Sequence, residues 1–201
     1  FLQDEISLVP DYLRLTLGSK LERNDYTGFE VQPNARILFR PRDAHTLWGA
    51  VSRAVRTPAR ADSDIRIDFR SFPAETVYPD LFGDGAPPVL ISIRGNEDFE
   101  SEVLLAYEAG YRLRPRPNLL FDVVGFYNVY DRLRAGRNGL PVPAADGSHI
   151  LAAIVADNLM EGRTVGGEAA IEWHFPRGRL RGAYAYLWLD LERLPGANLE
   201  S

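Results

Sequence analysis

Between Tyr12 and Glu22 leucines take alternate positions, with charged or small polar residues between them. Successive side chains of a β-strand point to opposite faces, so Leu13, Leu15, Leu17 and Leu21 share one face. Arg14, Thr16, Lys20 and Glu22 share the other. The period of two returns at 31–40, where Val31, Ala35, Ile37 and Phe39 oppose Gln32, Asn34, Arg36 and Arg40, with Leu38 out of step. At 103–113, Leu105, Tyr107, Ala109, Tyr111 and Leu113 oppose Ala106, Glu108, Gly110 and Arg112. At 160–174, Val165, Gly167, Ala169, Ile171 and Trp173 oppose Thr164, Gly166, Glu168, Ala170, Glu172 and His174. The pattern predicts roughly eight strands, over 2–9, 12–24, 31–40, 45–56, 103–113, 119–131, 160–174 and 180–191. Two are less regular: Asp122 and Asn128 fall with Leu120, Val124 and Phe126, and Arg53 falls with Leu47 and Val51.

Proline and glycine punctuation predicts tight turns at Pro10-Asp11, at Pro41-Arg42-Asp43, around 114–118 and at Pro176-Arg177-Gly178. Between them lie a modest loop at 25–30 and two long ones, roughly 57–98 and 132–158. The apolar run 150–156 inside the last is a candidate for a short extra strand. Loops of that length inside a compact domain carry function or disorder. Tight turns alternating with long loops, on strands mostly reaching the ~9 to 11 residues of a tilted membrane strand, match the wall of a transmembrane β-barrel. The expected fold is therefore all-β: an antiparallel up-and-down meander forming part of such a barrel.

Alternation alone leaves two environments open. Either the polar face is solvent and the apolar face a packed core, or the polar face lines a hydrated lumen and the apolar face meets lipid. A dry interior full of charge is excluded, because each unpaired buried ion costs several kcal/mol. Aromatic residues toward strand ends (Tyr12, Phe39, Tyr111, Trp173) favour lipid, as do strands longer than the ~5 to 6 residues usual in soluble sheets.

Composition narrows the classes. Over 201 residues no apolar run approaches a membrane helix, which leaves a strand-built membrane protein open. A net charge of −5 argues against a nucleic-acid partner. The absence of cysteine excludes disulfides, Cys-ligated zinc and thiol catalysis. The chain starts strand-like at Phe1 and ends on a loop-like 196–201, and both ends read as cut from something longer.

Five stretches resemble the barrel of TonB-dependent outer-membrane receptors. They are Leu17-Gly-Ser-Lys-Leu-Glu-Arg-Asn-Asp-Tyr-Thr-Gly-Phe-Glu-Val-Gln-Pro-Asn-Ala-Arg36 and His45-Thr-Leu-Trp-Gly-Ala-Val-Ser-Arg-Ala-Val-Arg-Thr-Pro-Ala-Arg60. The others are Ser101-Glu-Val-Leu-Leu-Ala-Tyr-Glu-Ala-Gly-Tyr-Arg112, Phe126-Tyr-Asn-Val-Tyr-Asp131 and Leu159-Met-Glu-Gly-Arg-Thr-Val-Gly-Gly-Glu-Ala169. The resemblance spans nearly the whole chain in order. It implies one domain, 1–201, that is a partial barrel without the plug and the C-terminal strands. It further implies an outer-membrane importer for a metal chelate or related nutrient (siderophore, haem or cobalamin class). Its partners would be that chelate, outer-membrane lipid and, through the absent plug, the TonB system. A soluble antiparallel binding module and a passive porin-type barrel are the competing readings.

The candidate ligand contacts are Phe69, Phe72, Tyr78 and Phe82 in the first long loop, because apolar side chains in an exposed loop need a reason to be there. The alternative is that they pack the loop on itself. Arg14, Lys20, Arg36, Glu108, Arg112, Asp122, Glu168 and Glu172 are the candidate lumen-facing residues, which the resemblance sets against a plug. Asp62, Asp64 and Asp68, interleaved with Arg60, Arg66 and Arg70, lack calcium-loop spacing and read as a solvated loop. His45, His149 and His174 read as separate imidazoles. Glu168 and Glu172 lie ~13 Å apart along one strand, too far for a shared-proton dyad. No catalytic, cofactor-binding or metal-ligating constellation is expected.

Overall fold

The computed structural model describes residues 1–83 and 85–197. The expected loop at 196–201 lies, from Asn198 on, outside the described residues. In chain order the elements are β1 (Leu2–Val9), β2 (Leu13–Asn24), β3 (Gly28–Arg42), β4 (His45–Arg56), α1 (Arg60–Asp64), β5 (Arg66–Phe72) and α2 (Ala74–Val77). They continue with β6 (Val89–Arg94), β7 (Glu102–Arg116), β8 (Leu119–Asn138), β9 (Val142–Pro143), β10 (Ile150–Phe175) and β11 (Gly178–Arg193). The strands form one sheet of eleven, mostly antiparallel. Its path is β1-β2-β3-β4-β7-β8-β10-β6-β5, with β11 and β9 also paired to β10.

All eight expected strands are present, and tight turns fall at all four punctuated sites. The two long loops hold more structure than their composition suggests. Residues 57–98 contain α1, β5, α2 and β6, with β5 antiparallel to β6. In 132–158, β8 runs on to Asn138 and β9 follows. The run 150–156 is not a separate strand but the start of β10, where it pairs parallel with β6.

The chain divides into two compact units. Unit 1 is Phe1–Val55, Val103–Asp131 and Gly162–Leu191; unit 2 is residues 56–102, 132–161 and 192–201.

In unit 1 the alternation of neighbouring strands is in register. Leu13 stands opposite Phe39 and Phe39 opposite Leu47; Leu15, Ile37 and Gly49 make the next row; Leu17, Ala35 and Val51 the one after. Between β7 and β8 the pairs Leu105–Val129, Tyr107–Tyr127, Ala109–Gly125, Tyr111–Val123 and Leu113–Phe121 continue the apolar face. The other face carries Thr16–Arg36–Ala50, Lys20–Gln32, Glu108–Phe126 and Arg112–Asp122. Leu38, out of step in sequence, is on this polar face opposite Arg14 and Trp48.

Two close approaches fit large rings into the polar face. A Cβ on Gly110 would lie 2.3 Å from the Trp48 indole nitrogen, so only glycine leaves room for that ring. The Arg36 guanidinium in turn sits 4.5 Å from the Trp48 ring centroid. A Cβ on Gly166 would meet the Phe126 ring at 2.4 Å. Because a Cβ at Gly110 points to the face of Glu108 and Arg112, Trp48 ties the polar faces of β4 and β7 together. The Asn128–Thr164 hydrogen bond (3.0 Å) does the same for β8 and β10.

Every buried apolar side chain among the described residues lies in unit 2: Ala74, Val89, Phe99, Ile150, Ala152 and Ala156. Among the described residues, unit 1 shows no second layer. Leu17, Ile37, Val123 and Trp173 are 43%, 45%, 50% and 45% exposed. Each such side chain forgoes roughly 1 kcal/mol of burial in water. With many of them on one face, the loss rivals the whole ~5 to 15 kcal/mol stability of a soluble domain. That face needs an apolar neighbour.

Gly110→Val is expected to destabilise the wall by about 1 to 3 kcal/mol, through overpacking against Trp48. Gly49→Ala, whose new methyl would have 3.7 Å of room, should change stability by less than about 0.5 kcal/mol. Urea unfolding of the two variants in detergent, followed by tryptophan fluorescence, checks the contrast.

Candidate functional site

The polar face of unit 1 brings together all eight residues expected to face a lumen. β2 supplies Arg14 and Lys20, β3 Arg36, β7 Glu108 and Arg112, β8 Asp122, and β10 Glu168 and Glu172. Most of the cations there are already engaged. Arg14 pairs with Glu5 at 3.1 Å, and Lys20 with Glu22 at 2.5 Å. Arg112 Nε donates to Asp122 at 2.8 Å. Glu172 meets His174 at 2.5 Å and Arg181 at 3.1 Å. These exposed pairs contribute little to stability, so they can exchange partners at small cost. A shallow hollow of about 450 Å³ opens beside Asp122 and Glu168 over Ala170, Ala183 and Ala185.

The apolar face of the same unit gathers rings near the tight turns. His45 stacks on Tyr111, with Nδ1 2.8 Å from the Tyr111 hydroxyl, and Trp173 packs on Phe175 with centroids 5.4 Å apart. His149 meets the Ser148 hydroxyl at 2.8 Å, so each of the three imidazoles has its own local partner.

The four candidate ligand aromatics separate into two kinds. Tyr78 and Phe82 meet edge to face at 6.1 Å and pack against Ala74, Val89, Ile150 and Ala152. That packing seats the 57–98 segment on a small core. Phe69 sits at the register shift between β5 and β6 and is 60% exposed. Phe72 is half-buried at the end of β5, with the Arg70 guanidinium 5.4 Å from its ring. Arg66 on the same strand is exposed.

The aspartates of this segment do not behave alike. Asp64 is exposed, but at the end of α1 and not in a loop. Asp68 accepts the Ser92 hydroxyl at 2.6 Å and faces Arg94 at 2.8 Å. The hydroxyl first, and the guanidinium after it, hold its carboxyl below the usual carboxylate range. Asp62, by contrast, is buried between Arg56 and Arg134. The one local signal is its place three residues after Ala59, whose N–H it accepts at 2.9 Å in the manner of a helix-start capping acid.

The family model for the TonB-dependent receptor-like β-barrel matches residues 1–199. The chain belongs to that family. Among solved structures, the siderophore receptor PirA of Acinetobacter baumannii superimposes with a TM-score of 0.71 at 17% identity, over 92% of this chain and 26% of that one. The ferric enterobactin receptor PfeA of Pseudomonas aeruginosa, in complex with enterobactin, gives 0.70 at 20% identity, over 92% and 26%. The FrpB iron transporter of Neisseria meningitidis gives 0.57 at 13%, over 94% and 24%. The chain thus spans about a quarter of each of these receptors. No match exists among curated proteins. At these identities the structural likeness speaks for the fold: this sheet is a stretch of TonB-dependent receptor barrel.

Because the native carboxyl of Asp68 is held low, its contribution to the β5–β6 hairpin is present above the ordinary carboxylate range and is lost as pH falls through the lowered value. Amide exchange across Arg66–Phe72, corrected for intrinsic rates, should therefore accelerate only in strong acid. Ser92→Ala should move that onset to higher pH.

Proposed function

We propose that this chain is a barrel segment of an outer-membrane receptor that imports an iron chelate of the siderophore class. The plug and remaining strands, in this reading, belong to the complete receptor. The observation that carries the proposal is the match of the receptor-barrel family along residues 1–199. The unpartnered apolar face of unit 1 supports it, since lipid is the neighbour such a face requires. PirA, PfeA and FrpB are named for siderophore, ferric enterobactin and iron, which favours an iron chelate over haem or cobalamin.

On this reading β5 presents the ligand contacts. Phe69 is exposed, and Arg66 and Arg70 stand on the same short strand. A ferric catecholate is both aromatic and anionic, so a ring can stack on it while a guanidinium pairs with its charge. Tyr78 and Phe82 act indirectly, by fixing the segment that carries β5. The lumen-facing set, Arg14, Lys20, Arg36, Glu108, Arg112, Asp122, Glu168 and Glu172, is assigned to the plug. Pairs such as Arg112–Asp122 would exchange with plug side chains during transport. Coupling to the TonB system runs through that plug.

The test is uptake of radiolabelled ferric enterobactin by cells producing the complete receptor. Uptake abolished by a protonophore supports the importer. Uptake that persists without energy fits a porin-type barrel, and none at all contradicts the ligand class. Phe69→Ala should weaken equilibrium binding of ferric enterobactin about tenfold, or ~1.4 kcal/mol. Glu168→Lys should leave that binding intact and change the energised uptake rate; an unchanged rate counts against the plug assignment.

A further inference from the structure

The long excursion from β4 to β7 is tied down by a charge cluster within unit 2. Asp62, 1% exposed, accepts the Ala59 N–H at 2.9 Å. Its carboxylate faces the Arg134 guanidinium at 2.9 Å and that of Arg56 at 3.5 Å. Arg56 in turn forks onto Glu102, with Nε at 2.6 Å and Nη2 at 2.8 Å. Glu102 also accepts the backbone N–H of Arg134 at 2.9 Å. Two cations and two anions thus alternate around one buried point, at the start and the end of the excursion.

The backbone repeats the tie. The Asp62 carbonyl accepts the Asn96 N–H at 2.8 Å, and the Ile65 carbonyl accepts that of Gly95 at 2.8 Å. Asn158 stands in for a missing strand partner: its Oδ1 accepts the Glu100 N–H at 2.7 Å. Its Nδ2 donates to the carbonyls of Glu100 (3.1 Å) and Arg132 (2.6 Å). A solvated ion pair would hold such a segment only loosely. A buried carboxylate differs, because taking it from its guanidinium partners leaves an uncompensated charge out of water. The cluster therefore permits one arrangement of the excursion and penalises others.

We propose that Asp62 is a positioning residue, clamping residues 57–102 so that β5 is presented in a single preformed arrangement. Its consequence for ligand capture rests on the reading of β5 as the contact strand; the clamp itself does not. A preformed site binds without first ordering a loop, and a binding step that must wait for a rearrangement is slower to associate.

The test uses Asp62→Asn in the complete receptor purified in detergent, which keeps the shape and the bond from Ala59 but removes the charge. Amide exchange in Arg66–Phe72 and Val89–Arg94 should accelerate at least about tenfold, while heat-modifiable gel migration of the barrel stays native. The association rate of ferric enterobactin should fall several-fold, with dissociation changed less. Native exchange rates, or a change confined to dissociation, overturn the proposal. If the unsubstituted receptor binds no ferric enterobactin, the ligand reading fails and the exchange result alone decides the clamp. Should Asp62→Asn not assemble, Arg134→Gln removes the cation that faces Asp62 while the backbone bond to Glu102 stays. The same acceleration is expected there, and native exchange again overturns the clamp.

Discussion

A strand repeats every two residues, and neighbouring strands of unit 1 are paired so that these repeats coincide. That coincidence governs the rest of the molecule. Had β3 slipped by one residue against β2, Ile37 and Phe39 would share a face with Arg14, and the wall would have no apolar side. In the observed register the apolar side is continuous from β2 to β4 and from β7 to β8. Among the described residues, none of its apolar side chains is buried, and Leu17, Ile37, Phe39, Leu47 and Val123 are exposed. A surface of this kind has a free-energy minimum in lipid and none in water.

The polar side solves a different problem. It carries rings as well as charges, and the rings lie over glycines rather than among other rings. Trp48 lies over Gly110 with Arg36 stacked on it, and Phe126 lies over Gly166. Each ring bridges a strand junction and hides backbone that would otherwise have no side chain to cover it. The surrounding ion pairs are largely exposed and individually weak.

The wall was legible because it is local. Period two, turn prolines and strand length are all written within a dozen residues, and the eight strands follow from them. The faces of β8 were ambiguous, and the register resolves them: Asp122 and Asn128 sit with Val124 and Phe126 on the polar side, while Phe121, Val123, Tyr127 and Val129 make the apolar one. The excursion was not legible, because its structure depends on distant segments. β6 is a strand partly because residues 150–155 run parallel beside it, and β5 because β6 is there. Asp62 is buried because Arg134, far along the chain, reaches its carboxylate. The same remoteness explains the candidate aromatics: composition marks Tyr78, Phe82 and Phe69 alike, and only packing distinguishes two that support a core from one that faces outward.

Val123 and Val124 are adjacent, chemically identical and on opposite faces of β8, so they report the surroundings of each face without a change of residue type. Nitroxide labels at Cys introduced singly at these positions, in the complete receptor reconstituted into bilayers, can be probed with oxygen and with a neutral nickel chelate. The label at Val123 is expected to collide with oxygen, which concentrates among acyl chains, and to be shielded from the chelate; the label at Val124 should lack that lipid signature. Equal profiles, or the reverse assignment, would mean that the leucine-rich side of the wall does not face lipid.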